Sequence, residues 1–570
     1  MTAMDEEIRE HALKNAVSHG GVAEQKAVIS KLLGQNPGLR EKAKEVIPHV
    51  MRIISEVNSL GAEEQRRLVE EIDPNFFLVE KKEKRRLPPL PGAEMGKVIT
   101  RLPPEPNGYP HIGHGLSFYF NYYYAREYDG EVILRFDDTN PKAEKAEYYD
   151  AIKKDLKWLG LSWEREHNMS DDMEAYYDYA ERLIMMGKAY MCGCDPEKVS
   201  KLRFNKCTCN CQQKSVDENI EQWLGMSGME EGSMALRLRG DVTSQNTAMR
   251  DPTLFRVIRH PHPVQGDKYT VWPVYDFACS IEDSILGVTH VLRSNEFALR
   301  IELQDYIRGL LELRSPITMQ YSRFTIRGSP TSKRLIRPLI EEKVVEGWDD
   351  PRLVTLRGLK RRGIIPETVH ELAKEMGLST AEPEIDWSLV ESINRKLIDP
   401  ISKRFFFVEC PTEVDVEGMK EREISIRMHP EKDLGRRDMK VGERMFIPAS
   451  DAGSIAAGEV LRLKDLCNIY IDNAGNGTIK AHVHTDEVDM RSIKKVQWVS
   501  IDPVEVNIIS PSPLYIGKEV NPDSLTVLSG LGEPSIRALD VGEIVQFERF
   551  GFVRIDSKSE GLVTVVLSHK

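Results

Sequence analysis

From residue 97 the chain reads as strand, helix, strand. "KVITRL" and "GEVILRFDD" are strand-like, and "HGLSFYFNYYYAREY" between them has the length of a helix. Two strands joined in this way pair in parallel, with the helix crossing over one face of the sheet. That order commits the segment to an α/β layer with crossover helices. Its first connection is unusual. "PPEPNGYPHIGHG" (residues 103–115) breaks the strand with prolines, then opens the helix with His111 and His114, three residues apart.

At a helix start the free backbone N–H groups and the helix dipole favour anions. Gly108, Gly113 and Gly115 let backbone and ligand approach closely. Two imidazoles at i and i+3 can face the same ligand. A metal site would need a third ligand and a nearby carboxylate base, as in H-E-x-x-H, and neither stands here. The bland alternative is a pair of histidines that only cap a turn. On residue type alone, phosphate is the better-fitting ligand.

The rest of the chain changes character several times. Residues 1–80 carry apolar positions at helical spacing, as in "AKEVIPHVMRIISEV", with breaks at "SHGG", "GQNPG" and "SLGAEEQ". A basic, proline-bearing connector follows, including "KKEKRR" at 81–86. A strand-like segment, "YTVWPVYDFACSIED", resumes the α/β pattern near residue 270, so the intervening stretch is an insertion. Residues 340–396 read as helices, and the last 170 residues as β-barrels built from stretches such as "VQWVSIDPVEVNII" and "GEIVQFERFGFVRID".

Composition narrows the class. The formal charge of −12 argues against coating nucleic acid by bulk charge, but local basic surfaces remain open. One is "RLVTLRGLKRR", in which Arg352, Arg357, Lys360, Arg361 and Arg362 occur with no acid. The N-terminus lacks the apolar core of a secretory signal and no run is long enough to span a membrane, so a cytoplasmic protein is expected. Of eight cysteines, Cys192, Cys194, Cys207, Cys209 and Cys211 lie within twenty residues. In a reducing compartment this reads as a thiolate site for zinc made by four of the five, or as a knuckle that has lost its metal. Cys279, Cys410 and Cys467 read as ordinary buried thiols.

"PPEPNGYPHIGHG" resembles the His-Ile-Gly-His signature of class I aminoacyl-tRNA synthetases, in the form found in the glutamyl and glutaminyl subfamily. "GSPTSKRLIRPLIEE" is similar to the family's second signature, with Pro330 and Thr331 in place of Lys-Met. "LRFDDTNPKAEKAEYYDAIKKDLKWLGLSW", "MRDPTLFRV", "WPVYDFACSIEDSILGVTHVL" and "GWDDPRLVTLRGLKRRGI" also resemble that subfamily, in the right order over residues 97–400. The β-rich end looks like the anticodon-binding barrels of archaeal-type glutamyl and of glutaminyl enzymes. The resemblance implies a Rossmann-like catalytic domain in two halves (89–190 and 272–338) around an acceptor-end-binding insertion (191–271). It further implies a helical stem-contact domain (339–398) and anticodon-binding barrels (399–570), while the helical spacing at the start of the chain marks a helical N-terminal domain and linker (1–88).

It also implies ATP, entering with Mg²⁺, as the activating substrate. His111 and His114 would support the phosphates, Gly113 would make room for adenine, and Glu105 and Asn107 would lie beside the nucleotide. Ser332 and Lys333 would cover the β- and γ-phosphates, with Arg334 nearby. Arg293 stands where glutamyl members carry an arginine for the substrate carboxylate, and Arg101 would be the second cation. Asp137 and Tyr275 would hold the ammonium with Glu105 close by, although sequence does not say whether Asp137 or Asp138 faces the pocket. The implied partners are tRNA(Glu) and, in a non-discriminating enzyme, tRNA(Gln), contacted in part by the basic residues of 352–362. A monomer is expected, with the N-terminal helices open to a protein partner. The alternative is a glutaminyl-tRNA synthetase, against which Arg293 argues.

Overall fold

The computed structural model describes residues 3–18, 21–35, 43–73, 87–475, 477–489 and 493–570. The basic run 81–86 and most of "GQNPG" lie outside them. The chain forms two compact units, Met1–Arg86 and Leu87–Lys570. Among the described residues no helix is long and apolar enough to cross a membrane.

The first unit is helical: α1 (Ala3–Ser18), α2 (Gln25–Gln35), α3 (Ala43–Asn58) and α4 (Ala62–Ile72). The apolar faces read from the sequence meet in one core, with Ile8, Leu13, Val28, Leu32, Ile54 and Val69 buried. Gln65 is buried among them, its amide nitrogen donating to Gly21 O and Val57 O at 2.9 Å each.

In the second unit β1 (Ile99–Leu102) pairs in parallel with β2 (Glu131–Phe136), and β2 with β3 (Arg165–Asn168). The crossover from β1 to β2 is α5 (Ile112–Glu127), and α6 (Ala146–Trp158) joins β2 to β3. After β3 come α7 (Met173–Met185) and an antiparallel sheet of β4 (Ala189–Cys192), β5 (Ala235–Leu238), β6 (Thr253–Val257) and β7 (Val271–Pro273). Helices α8 (Pro196–Phe204) and α9 (Val216–Leu224) sit between β4 and β5. The parallel layer then resumes with α10 (Tyr275–Ile285), β8 (His290–Ser294), α11 (Ala298–Leu311) and β9 (Ile317–Tyr321), β8 and β9 being parallel. Thr289 N–H donates to Ile99 O at 2.9 Å, which brings β8 alongside β1. The strand order is therefore β3-β2-β1-β8-β9, and the connections reverse direction at β1, where an open α/β sheet has its ligand crevice.

Four helices follow: α12 (Lys333–Glu341), α13 (Leu356–Arg362), α14 (Pro366–Met376) and α15 (Trp387–Ile398). A Cβ on Gly115 would lie 3.1 Å from Leu356 and 3.4 Å from Val369, so the glycine allows α5 to seat closely against α13 and α14. Beyond residue 402 the chain is almost entirely β. Arg404–Phe405 and Phe407–Glu409 are the two edges of a seven-stranded sheet, yet they are consecutive in the chain, so the sheet curls until it meets itself. The six-stranded sheet closes through Phe446 and Val499, whose backbones exchange bonds of 2.8 and 3.0 Å. Phe406 belongs to one barrel core and its neighbours Phe405 and Phe407 to the other, as the two-residue period of a strand requires.

Candidate active site

A cleft of about 750 Å³ opens at the C-terminal ends of β1 and β8. Arg101, Glu105, Asn107, Gly113, Asp137, Tyr275 and Arg293 all line it, with His111, His114 and Lys333. His111 is the N-cap of α5. Its Nδ1 accepts the Gly113 N–H at 3.0 Å, and His114 Nδ1 accepts the His111 N–H at 3.2 Å. A backbone N–H can only donate, so both Nδ1 atoms are unprotonated and each neutral ring carries its hydrogen on Nε2. The rings lie 3.9 Å apart, centroid to centroid.

Burial keeps both rings neutral, aided by the cations of Lys333 and Arg323. His111 is held well below the ordinary histidine value, with His114 also acting on it, and His114 is pushed down to about 4. The His114 ring is open to the cleft but deep within the protein, which reconciles its exposure with this shift. In the unfolded chain the same ring protonates near 6.5. Between pH 6.5 and about 4 the unfolded state therefore binds more protons, and acidification through that window destabilises the fold. NMR titration of the ligand-free protein is expected to give His114 a midpoint near 4; a midpoint near 6.5 would refute the neutral donor assignment.

The floor of the cleft is built from charge. Asp283 Oδ1 accepts from Arg101 Nε at 3.2 Å and Arg135 Nη1 at 2.6 Å, and its Oδ2 from Arg308 Nη2 at 3.3 Å. Burial alone would raise Asp283, but Arg135, Arg101 and Arg308 hold it well below the usual carboxylate range. Arg135 also grips Asp137, at 2.8 and 3.2 Å. Arg293 is buried as well, and its hydrogen bond among the described residues is to the neutral Gln304, at 2.9 Å. The four buried guanidiniums share Asp137 and Asp283, while Arg308 also pairs with Asp305 at 3.1 Å and Asp276 stands on the cleft wall within reach of the Arg293 charge. Arg101 Nη1 and Arg293 Nε are buried with no hydrogen-bond partner. Buried N–H groups left without an acceptor carry a desolvation cost, which an anion bound in the cleft would offset.

Asp137 and Asp138 separate as strand alternation requires. Asp137 lines the cleft, and burial raises its pKa. Asp138 turns into the core, accepting from Ser170 N–H at 2.8 Å and Tyr149 OH at 2.8 Å, and burial with Glu144 nearby pushes it up to about 7. Sequence reading missed Arg135, Arg308 and Asp283, and also Asn140, Arg256, Arg300 and Arg323 on the cleft wall.

The second-signature loop departs from expectation at two residues. Ser332 is the N-cap of α12 and Lys333 its first residue, and of these only Lys333 reaches the cleft, beside Thr331. Successive helical residues are turned by about 100°, so Arg334 faces solvent while Lys333 faces in. Ser332 and Arg334 are not part of the wall. Burial lowers the Lys333 pKa, against the pull of Glu105.

The basic run of residues 352–362 is divided by its partners. Arg352 is buried against Asp350 and donates to Ser524 Oγ at 3.1 Å. Arg362 is buried against Glu391 at 2.8 Å and lies 4.0 Å from the Trp387 ring. Arg361 is paired with Asp556 at 2.9 Å. These three join the helices to one another and to the barrels, so Arg352 and Arg362 leave the set of phosphate-contact candidates and Arg361 is already committed. Arg357 is half-buried, pairing with Asp155 at 3.3 Å, and Lys360 is exposed.

The cysteines resolve more simply. The Sγ atoms of Cys192, Cys194, Cys209 and Cys211 all lie within 4.8 Å of one another. Cys192 to Cys209 is 3.8 Å and Cys194 to Cys211 is 3.7 Å. A tetrahedral site with Zn–S near 2.3 Å sets its sulfurs about 3.8 Å apart, so the four fit that ion. Cys207 is exposed and outside the cluster, its Sγ turned to Asn205 O.

Comparison with known proteins gives the family. Residues 97–400 match the family described as tRNA synthetases class I (E and Q), catalytic domain. Residues 402–486 and 495–556 match two anticodon-binding domain families of the same class. A Pyrococcus furiosus protein named glutamate–tRNA ligase is 42% identical over 575 residues, covering 98% of this chain and 98% of its own length. A Nitrosopumilus maritimus protein of the same name is 42% identical over 98% of this chain and 100% of its own. One from Cenarchaeum symbiosum is 41% identical over 98% and 99%. The chain belongs to the class I tRNA synthetases of the glutamate and glutamine (E and Q) family.

Proposed function

We propose that this chain is a glutamate–tRNA ligase that activates L-glutamate with ATP and transfers it to tRNA(Glu), in the cytoplasm. The observation that carries the glutamate reading is the pair of unpartnered guanidinium nitrogens on Arg101 and Arg293 at the cleft. A γ-carboxylate satisfies both by charge-assisted bonds; a glutamine amide would leave a buried cation without its counter-charge. The substrate ammonium goes toward Asp137 and Tyr275, where Asp137 is shared with Arg135.

ATP enters as its Mg²⁺ complex. The α-carboxylate oxygen of glutamate attacks the α-phosphorus, the bond to the bridging oxygen breaks, and pyrophosphate leaves with that electron pair. Charge grows on the phosphate oxygens, and the Nε2–H groups of His111 and His114 and the Lys333 ammonium are fixed donors for it at the positive end of the α5 dipole. Neutral imidazoles suit this role because they donate without taking up a proton at each turnover. A ribose hydroxyl at the tRNA 3′ end then attacks the acyl carbon and AMP leaves. Lys360 and Arg357 remain for tRNA phosphates.

Glutamate, and not glutamine, is expected to be attached to purified tRNA(Glu); attachment of glutamine would establish the glutaminyl alternative. Charging of tRNA(Gln) with glutamate as well would make the enzyme non-discriminating, and its absence would make it strict.

We also assign zinc to Cys192, Cys194, Cys209 and Cys211, where it would tie β4 to the turn before α9. With Co²⁺ in place of zinc, a sulfur-to-metal charge-transfer band is expected for the wild type and for Cys207→Ser, and a much weaker one for Cys209→Ser. The reverse pattern would refute this ligand set.

A further inference from the structure

A second cluster of metal-ligating side chains lies behind the floor of the cleft. His167 is near the end of β3, Asp172 stands at the N-cap of α7, and Glu282 projects from α10. One ligand atom from each lies within 4.8 Å of the other two. His167 Nε2 is 2.6 Å from Asp172 Oδ2 and 2.9 Å from Glu282 Oε1. An imidazole Nε2 carries at most one hydrogen, and here it is directed to Asp172. Glu282 Oε1 is consequently fully buried without a hydrogen bond.

Two further details point the same way. Asp172 occupies a position where an aspartate ordinarily accepts the first free N–H groups of the helix, yet it makes no such bond and turns toward His167 instead. The other oxygen of Glu282 is engaged by the Tyr176 hydroxyl, which fixes the carboxylate with Oε1 aimed into the cluster. Arg135, whose charge acts on Glu282, is committed to Asp137 and Asp283. Neighbouring ligands of a six-coordinate divalent ion, each about 2.1 Å from it, stand roughly 3 Å apart, close to the spacing found here.

We propose that His167, Asp172 and Glu282 form a site for a divalent cation of the Mn²⁺ type, bound through one imidazole nitrogen and two carboxylate oxygens. The ion would replace a single hydrogen that cannot serve two carboxylates, one of them fully buried. It would tie the turn before α7, which places Met169 on the cleft wall, to α10, which places Tyr275 there.

The full-length chain, stripped with chelator and free of ATP, is titrated with Mn²⁺ while free Mn²⁺ is followed by electron paramagnetic resonance. Mn²⁺ avoids the thiolate cluster because it prefers oxygen and imidazole ligands. One bound ion per chain is expected in the wild type, with affinity at least about tenfold weaker in Glu282→Gln and in Asp172→Asn. Equal Mn²⁺ binding by wild type and variants, or none by the wild type, overturns the proposal and leaves a histidine–carboxylate ion pair. Because Glu282 is buried and its variant can fail to fold, Asp172→Asn, at a half-buried position, decides the matter once its circular dichroism matches the wild type.

Discussion

Replacing Arg293 with alanine is expected to lower kcat/KM for glutamate by about a hundredfold or more. Removing one partner of a buried ion pair costs about 3–5 kcal/mol, and each 1.4 kcal/mol is roughly a factor of ten. The pair in question forms only when substrate is bound, since among the described residues Arg293 hydrogen-bonds only the neutral Gln304, and the Asp276 carboxylate acts on it through space without a bond. The loss should therefore fall on glutamate use and appear mainly in KM, because the γ-carboxylate is held alike before and during the reaction. Glutamine should lose much less, so the ratio between the two amino acids narrows. Stability is the necessary control: Gln304 would lose its donor, a change worth about 1–3 kcal/mol, which a melting curve reads separately. Unaltered kcat/KM for glutamate in Arg293→Ala would remove Arg293 from the substrate pocket.

The two histidines were legible in the sequence because their geometry is local. A strand, a break and a helix start fix residues i and i+3 on one turn, and His111 and His114 needed no distant partner to face the same space. Arg101 and Arg293 were reached by family resemblance, whereas the network beneath them was not reached at all. Arg135, Asp283 and Arg308 come from β2, α10 and α11, and nothing in their own neighbourhoods says that one carboxylate will collect three guanidiniums.

The basic run failed for the opposite reason. Its charge was plain, but whether a cation serves a ligand or the fold depends on what packs against it. Asp556 and Ser524 come from the barrels, and Glu391 and Trp387 from α15. The five clustered cysteines are an intermediate case: spacing narrowed zinc to four of five, and only the folded loop could exclude Cys207.

Lys333→Ala is expected to reduce ATP–pyrophosphate exchange, measured with tRNA present, by about 10²–10³-fold in kcat, the usual effect of losing one preorganised donor to a developing negative charge. KM for glutamate should change little, since Arg101 and Arg293 are untouched. A companion variant reaches the same ammonium without altering it. A Cβ at Gly108 would stand 2.4 Å from Lys333 Cδ and 3.2 Å from its Nζ, so Gly108→Ala must move the lysine side chain. Gly108 does not have the positive φ that makes alanine strained, so the backbone accepts the change and the fold should survive it. A loss of about tenfold or more is expected from Gly108→Ala alone, because misplacing a catalytic group by an ångström is enough to cost that much. In a Lys333→Ala background the same alanine should cost almost nothing, since the group it displaces is gone. Two independent losses that simply multiply would place the effect of Gly108 elsewhere in the loop and would separate close packing at this glycine from the position of the lysine.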